Sequence, residues 1–124
     1  MDEDEVAVGS EEISLSGLEK EINKLFVEEK LYLNPQLKLS DVARQVGTNR
    51  TYLSRFFNQE KQMTFFDYVN NLRVEHAVGL LQKSNLRLNV IAEQSGFNSI
   101  STFRRFFAAK QQCTPSESRM PSSA

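Results

Sequence analysis

Two stretches of this chain, Leu37 to Thr64 and Leu86 to Thr114, are copies of one pattern, and nothing else in the sequence restricts its fold as strongly. The first reads LKLSDVARQVGTNRTYLSRFFNQEKQMT and the second LRLNVIAEQSGFNSISTFRRFFAAKQQCT. Leu37, Leu39, Ala43, Gln45, Gly47 and Asn49 pair with Leu86, Leu88, Ala92, Gln94, Gly96 and Asn98. One residue is then inserted, after which Arg55, Phe56, Phe57 and Thr64 pair with Arg105, Phe106, Phe107 and Thr114. Self-similarity at a period of about fifty residues marks one supersecondary unit used twice.

Each copy has the same local physics. Ser40 and Asn89 are good N-caps for a short helix, because a side-chain oxygen there can accept from an otherwise unpaired backbone N–H. That helix shows Val42, Ala43 and Val46 on one side in the first copy. In the second, Ile91 and Ala92 are followed by polar Ser95, a weaker stripe. Gly47 and Gly96 supply the conformational freedom of a tight turn. A second helix follows, capped by Asn49 or Ser99, with Leu53, Phe56 and Phe57 inward in one copy and Phe103, Phe106 and Phe107 in the other. Ala43 and Ala92 are the small residues that a close helix crossing needs.

The flanking segments are also helical. Between the copies, Phe65, Val69, Leu72, His76 or Ala77, and Leu80 recur at helical spacing over about 64–83. Such a helix spans roughly 30 Å, close to the roughly 34 Å between successive major-groove faces on one side of B-DNA. Ahead of the copies, Leu15, Leu18, Ile22, Leu25 and Phe26 mark an amphipathic helix capped by Ser14 or Ser16 and ending before Asn34-Pro35. The expected organisation is a disordered acidic linker over 1–14 and an all-α body over 15–119. Within that body lie a helix-turn-helix unit at about 37–63, a linker helix at about 64–83 and a second unit at about 86–113. A disordered tail follows over 120–124.

Charge is distributed unevenly. Residues 1–36 carry ten acidic against three basic side chains, and residues 37–119 carry twelve basic against six acidic ones, so the overall net charge of −1 conceals a basic body. That body suits a polyanion partner. The single Cys113 excludes an intrachain disulfide framework and fits a reducing cytoplasm. No apolar run approaches the length of a membrane span. His76, the one histidine, and Cys113 have no companions for a metal site or a nucleophile pair, and no glycine-rich phosphate loop is present. The reading is not an enzyme, with no cofactor and no metal.

With Leu53, Phe56 and Phe57 turned inward, the opposite face of that helix carries Arg50, Thr51, Ser54 and Arg55. In the second copy it carries Ile100, Ser101, Arg104 and Arg105, with Thr102 beside them. Arginine can donate two hydrogen bonds to guanine O6 and N7, and Ser or Thr can reach base edges or phosphates. Ile100 either meets a thymine methyl or packs on the domain surface. Lys38 and Arg87 at the starts of the short helices, with Asn49, Asn98 and Ser99, are candidate phosphate contacts, although capping also explains the last three. Arg73 faces inward on the linker helix, where an ion pair with a core carboxylate is expected. The rival reading is a helical protein-interaction module that has lost base readout, motivated by the acidic head, Gln62, Gln112 and Ile100.

These residues resemble the AraC/XylS family of bacterial transcription regulators over about Leu37 to Arg119. The stretch IAEQSGFNSISTFRRFF followed by TPSESR is the most characteristic part, and TFFDYVNNLRVEHAVGLL resembles the family's linker helix. The resemblance implies about seven helices and two homeodomain-like helix-turn-helix subdomains that enter adjacent major-groove segments of double-stranded DNA. It further implies regulation of transcription, usually activation, with RNA polymerase as a partner. Carried to matching positions, it points at Thr51, Ser54 and Arg55 and at Ser101, Thr102 and Arg105. Three departures stand out. Gln62 and Gln112 occupy places where the family has glycine, which costs on the order of 1 kcal/mol if they are left-handed caps. Ser118 replaces an aromatic anchor of the last short helix. Most members also carry a sensor or receiver region, so the resemblance implies either a piece of a larger regulator, which the acidic head favours, or one of the family's short members.

Overall fold

The computed structural model describes residues 14–119. The acidic stretch before Ser14 and the tail over 120–124, both expected to be disordered, lie outside the described residues. Seven α-helices and no strand occur among the described residues. They are α1 (Leu15–Asn23), α2 (Leu39–Val46), α3 (Arg50–Phe56), α4 (Phe65–Lys83), α5 (Leu88–Gln94), α6 (Ile100–Gln111) and α7 (Pro115–Arg119). A π turn, Lys24–Glu28, prolongs α1, a second, Phe57–Lys61, prolongs α3, and Leu31–Leu33 forms a 3-10 turn. The described residues divide into two compact units, 14–31 with Gln36–Tyr68, and Tyr32–Pro35 with 69–119, the boundary falling within α4.

In the first unit, Ser14 starts α1 by accepting the Gly17 N–H on its hydroxyl at 3.0 Å. Leu18, Ile22, Leu25 and Phe26 are buried at the predicted spacing. They share the interior with Val42, Ala43 and Val46 of α2 and with Leu53, Phe56 and Phe57. Aromatic edges fix the packing: the Phe57 ring lies 5.4 Å from Phe56, 5.4 Å from Phe65 and 4.9 Å from Tyr68. Phe26 meets Tyr68 at 5.4 Å. Such edge and tilted contacts add about 0.5–1.5 kcal/mol each beyond area burial.

The second unit has a core of Val74, Ala77, Leu81, Ile91, Ala92, Phe97, Phe103 and Phe107. Within it, Phe103 packs its ring 5.3 Å from Phe97 and 5.6 Å from Phe107. The predicted stripe of α4 is rotated slightly. Val69, Val74, Ala77 and Leu81 are buried, whereas Leu72 and Leu80 are half-buried. Phe106, expected inward, is half-buried and packs against the core from its edge. Ser95 is fully buried, and its hydroxyl lies 3.1 Å from His76 Nδ1. The weak point of the α5 stripe is thus a paired polar contact.

Arg73 corrects an expectation. It is buried, but it meets no carboxylate: Nε donates to the Tyr32 carbonyl at 2.7 Å, Nη1 to Asn70 Oδ1 at 3.0 Å and Nη2 to the Asn34 carbonyl at 2.9 Å. The guanidinium also lies over the Phe97 ring at 6.0 Å. Its planar fork matches carbonyl oxygens as well as carboxylates, and such contacts are invisible in a sequence. Burial lowers the Arg73 pKa from its ordinary value, and burial followed by the Glu75 charge raises that of Tyr32.

The caps of the short helices also differ from expectation. Lys38 and Arg87, not Ser40 and Asn89, are the N-cap residues of α2 and α5. Asp41 closes the first turn of α2 by accepting the Lys38 N–H at 3.1 Å. Val90 stands at that place in α5, so the same closure is impossible there. The chain's close is firmer than the loss of an aromatic suggests. Thr114 and Glu117 form a reciprocal capping box at the start of α7, at 2.9 and 3.1 Å. Arg119 then donates to three carbonyls, Leu81, Ser84 and Leu86, at 3.3, 3.2 and 2.7 Å. A guanidinium fork does the docking expected of the residue at 118.

Candidate nucleic-acid interface

Both second helices begin with side-chain caps. Asn49 Oδ1 accepts the Tyr52 N–H at 2.8 Å, and Ser99 Oγ accepts the Thr102 N–H at 3.2 Å. Ser99 Oγ also donates to Thr102 Oγ1 at 3.1 Å. These bonds set where each helix starts, and with the inner phenylalanines buried they fix which side turns outward. Arg50, Thr51 and Arg55 are exposed on α3 and Ser54 is half-buried. On α6, Ser101, Arg104 and Arg105 are exposed and Thr102 is half-buried. The eight side chains fall into two groups of four, one on each unit.

Electrostatics separates these arginines, and Arg87 with them, from Arg44, Arg73 and Arg119. Arg44 pairs with Asp41, Lys61 with Glu19 and Lys110 with Glu75, while Arg73 and Arg119 are engaged with carbonyls. Among the described residues, Arg50, Arg55, Arg104 and Arg105 form no ion pair. The Arg105 guanidinium lies over the neighbouring Phe106 ring at 5.4 Å, which steadies a long side chain while leaving its donors outward. Free, exposed guanidinium groups are what bidentate hydrogen bonding to a guanine edge requires.

The remaining candidates diverge. Lys38 and Arg87 are exposed at the starts of α2 and α5, in matching places. Asn49 is buried and committed to its cap, so its amide is structural. Asn98 donates to the Pro35 carbonyl at 3.2 Å, and Ser99 is occupied by Thr102. Ile100 is half-buried and packs against the core of its unit.

Each turn also opens a cleft. In the first unit Ser40, Arg44, Gly47, Thr48 and Arg50 line one of about 390 Å³. The matching positions in the second unit, among them Asn89, Glu93, Phe97, Ser99 and Ile100, line one of about 380 Å³. Arg44 is absent from the sequence-derived set. Its signal was the charge reversal at an aligned pair, Arg44 against Glu93. That reversal takes on meaning only once both positions are seen to wall equivalent clefts.

The descent of the chain is equally clear. A family model for a helix-turn-helix domain matches residues 42–120. The HTH-type transcriptional regulator YfiF of Bacillus subtilis is 37% identical over 95 residues, which are 73% of this chain and 30% of YfiF. The probable transcription factor PqrA of Proteus vulgaris is 31% identical over 94 residues, covering 76% of this chain and 77% of PqrA. Among solved structures, the C-terminal domain of the two-component response regulator yesN from Fusobacterium nucleatum has a TM-score of 0.73 at 32% identity. It covers 82% of this chain and 98% of that one. The DNA-binding domain of AdpA, solved with a target DNA, shares the fold at a TM-score of 0.73 and 20% identity, over 82% of this chain and 88% of its own. The chain spans about 30% of the length of YfiF and about 12% of a Staphylococcus aureus relative.

Proposed function

The chain belongs to the helix-turn-helix family of AraC-type transcriptional regulators, and on that premise we propose that it binds double-stranded DNA in a sequence-specific way, in the cytoplasm, by inserting α3 and α6 into adjacent major-groove segments. The observation that carries this reading is the set of four exposed arginines without ion pairs, two on each second helix, within a family of DNA-binding regulators. Arg50, Thr51, Ser54 and Arg55 read one segment. Ser101, Thr102, Arg104 and Arg105 read the next. Lys38 and Arg87 hold flanking phosphates.

Two unlike reading faces on one chain imply an asymmetric site that a monomer occupies. Activation through contact with RNA polymerase, and control by a sensor or receiver region elsewhere in the protein, extend this reading. Binding-site selection from random duplexes followed by titrations with Arg55→Ala and Arg105→Ala tests it. Each variant should lose about 1–3 kcal/mol of discrimination, at separate base positions one helical turn apart. Equal affinity for every duplex, with no preferred site, would sink the proposal.

A further inference from the structure

The two turn clefts are nearly equal in size, about 390 and 380 Å³, and stand at matching places in the repeat. Size therefore does not distinguish them, but charge does. Arg44 and Arg50 line the first, and no acidic side chain lines it. Glu93 and Ile100 occupy those two positions in the second, and no basic side chain lines it. The walls thus differ by three formal charges, two positive against one negative. The polar groups follow the same division. Ser40 and Thr48, the latter with its Oγ1 buried and lacking a hydrogen-bond partner, stand in the first wall. In the second, Phe97 replaces Thr48, and the Asn98 amide is drawn to the Pro35 carbonyl.

From this contrast we infer that the first cleft is a phosphate site, filled by a backbone phosphodiester of the bound duplex, and that the second cleft is built not to be one. The inference rests on the DNA reading above and adds to it a division of labour. Arg44 holds its place beside the Asp41 carboxylate at 3.6 Å, a loose and exposed ion pair that a phosphate readily replaces. Arg50, grouped above with the groove residues, closes the cleft from the first turn of α3 and is assigned here to the backbone phosphate, which leaves Thr51, Ser54 and Arg55 to read bases. A phosphate meeting two guanidinium groups gains charge-assisted, bidentate hydrogen bonds. In the second cleft the same phosphate meets the Glu93 carboxylate and an apolar Ile100, so like charge and desolvation exclude it. The first unit then supplies the phosphate clamp at its turn. The second unit approaches the duplex through the outer face of α6 and through Arg87.

Two measurements test this on the whole chain. In the first, inorganic phosphate is titrated while backbone amide resonances are followed. Thr48, Asn49 and Arg50 should shift and Phe97, Asn98 and Ser99 should stay; equal shifts in both sets, or none in either, overturn the inference. In the second, affinity for the selected duplex is measured against salt. Each phosphate neutralised contributes about 0.9 to the slope of log affinity against log salt. Arg44→Gln should therefore flatten the slope by about 0.9 and Glu93→Arg should steepen it by about as much. Both positions are exposed, so both variants keep the fold. A wild-type chain that binds no duplex ends the DNA reading and this one together. A wild-type chain that binds, with a slope unmoved by Arg44→Gln, ends this one alone.

Discussion

The two helix-turn-helix units place a glycine at the same turn, and the two glycines serve different ends. Gly47 has φ of +81° and a side chain added there would meet nothing within 4 Å. Gly96 has φ of +95°, and an added Cβ would stand 2.4 Å from the Tyr32 carbonyl oxygen and 2.9 Å from Arg73 Nε. The first needs glycine for its backbone angle alone; the second needs it for the angle and for space. A repeat in sequence is thus not a repeat in cause. The first unit is held by an aromatic cluster around Phe57, the second by a cluster around Phe103 together with a buried arginine drawing backbone carbonyls inward.

The sharpest way to break this comparison is to give both turns a methyl group. Gly96→Ala should destabilise the second unit by about 3 kcal/mol or more, since overpacking adds to the cost of a left-handed alanine. Gly47→Ala should cost the first unit only about 1 kcal/mol. Amide hydrogen exchange resolves the units separately, and equal losses would refute the distinction. Next in size is Arg119→Ala, which leaves three carbonyls without their donor. It should release α7 and destabilise the second unit by about 2 kcal/mol, read in the same exchange experiment.

The left-handed caps sharpen the comparison from the opposite side, because here the units agree. Gln62 and Gln112 have φ of +58° and +63°, as expected if the family's glycine positions are left-handed caps. Gln62→Gly and Gln112→Gly should each stabilise their own unit by up to about 1 kcal/mol, measured by urea denaturation. The smallest effect is one of pH and is confined to the second unit. Tyr32 has its pKa raised above 10.0 by burial and by Glu75, so the folded state holds the phenol proton where the unfolded chain has released it. Its stability contribution is complete below pH 10 and is lost as pH rises through the folded value. Tyr32→Phe should remove that part of the alkaline decline. An unchanged decline above pH 10 would assign it elsewhere.

Much of this was legible in the chain itself. The repeat, both second helices, the linker helix and their inward phenylalanines follow from apolar spacing, because burial acts on side chains whose periodicity is written in order. The outward arginines follow as the complement of that inward face. What escaped was backbone chemistry. Only side chains are visible in a sequence, so an inward arginine predicts a carboxylate, whereas Arg73 meets the carbonyls of Tyr32 and Asn34 and the Asn70 amide oxygen. Arg119 was missed as an anchor for the same reason. Ser40 and Asn89 looked like caps from composition, yet the helices begin at Leu39 and Leu88. Arg44 and Glu93 were aligned in plain view, but only the fold shows that each walls a cleft.

The four residues Tyr32–Pro35 lie in the chain between α1 and α2 of the first unit, yet they belong to the second. There Arg73 holds their carbonyls, and Asn98 reaches Pro35. No single cut in the polypeptide therefore releases an intact second unit. A recombination event that exchanged everything after the linker helix's start between two relatives would transfer Arg73, Gly96 and Asn98 without the loop they hold. Shuffling halves would therefore disturb the packing of the second unit, whereas point changes at exposed positions of α3 and α6 leave these contacts in place.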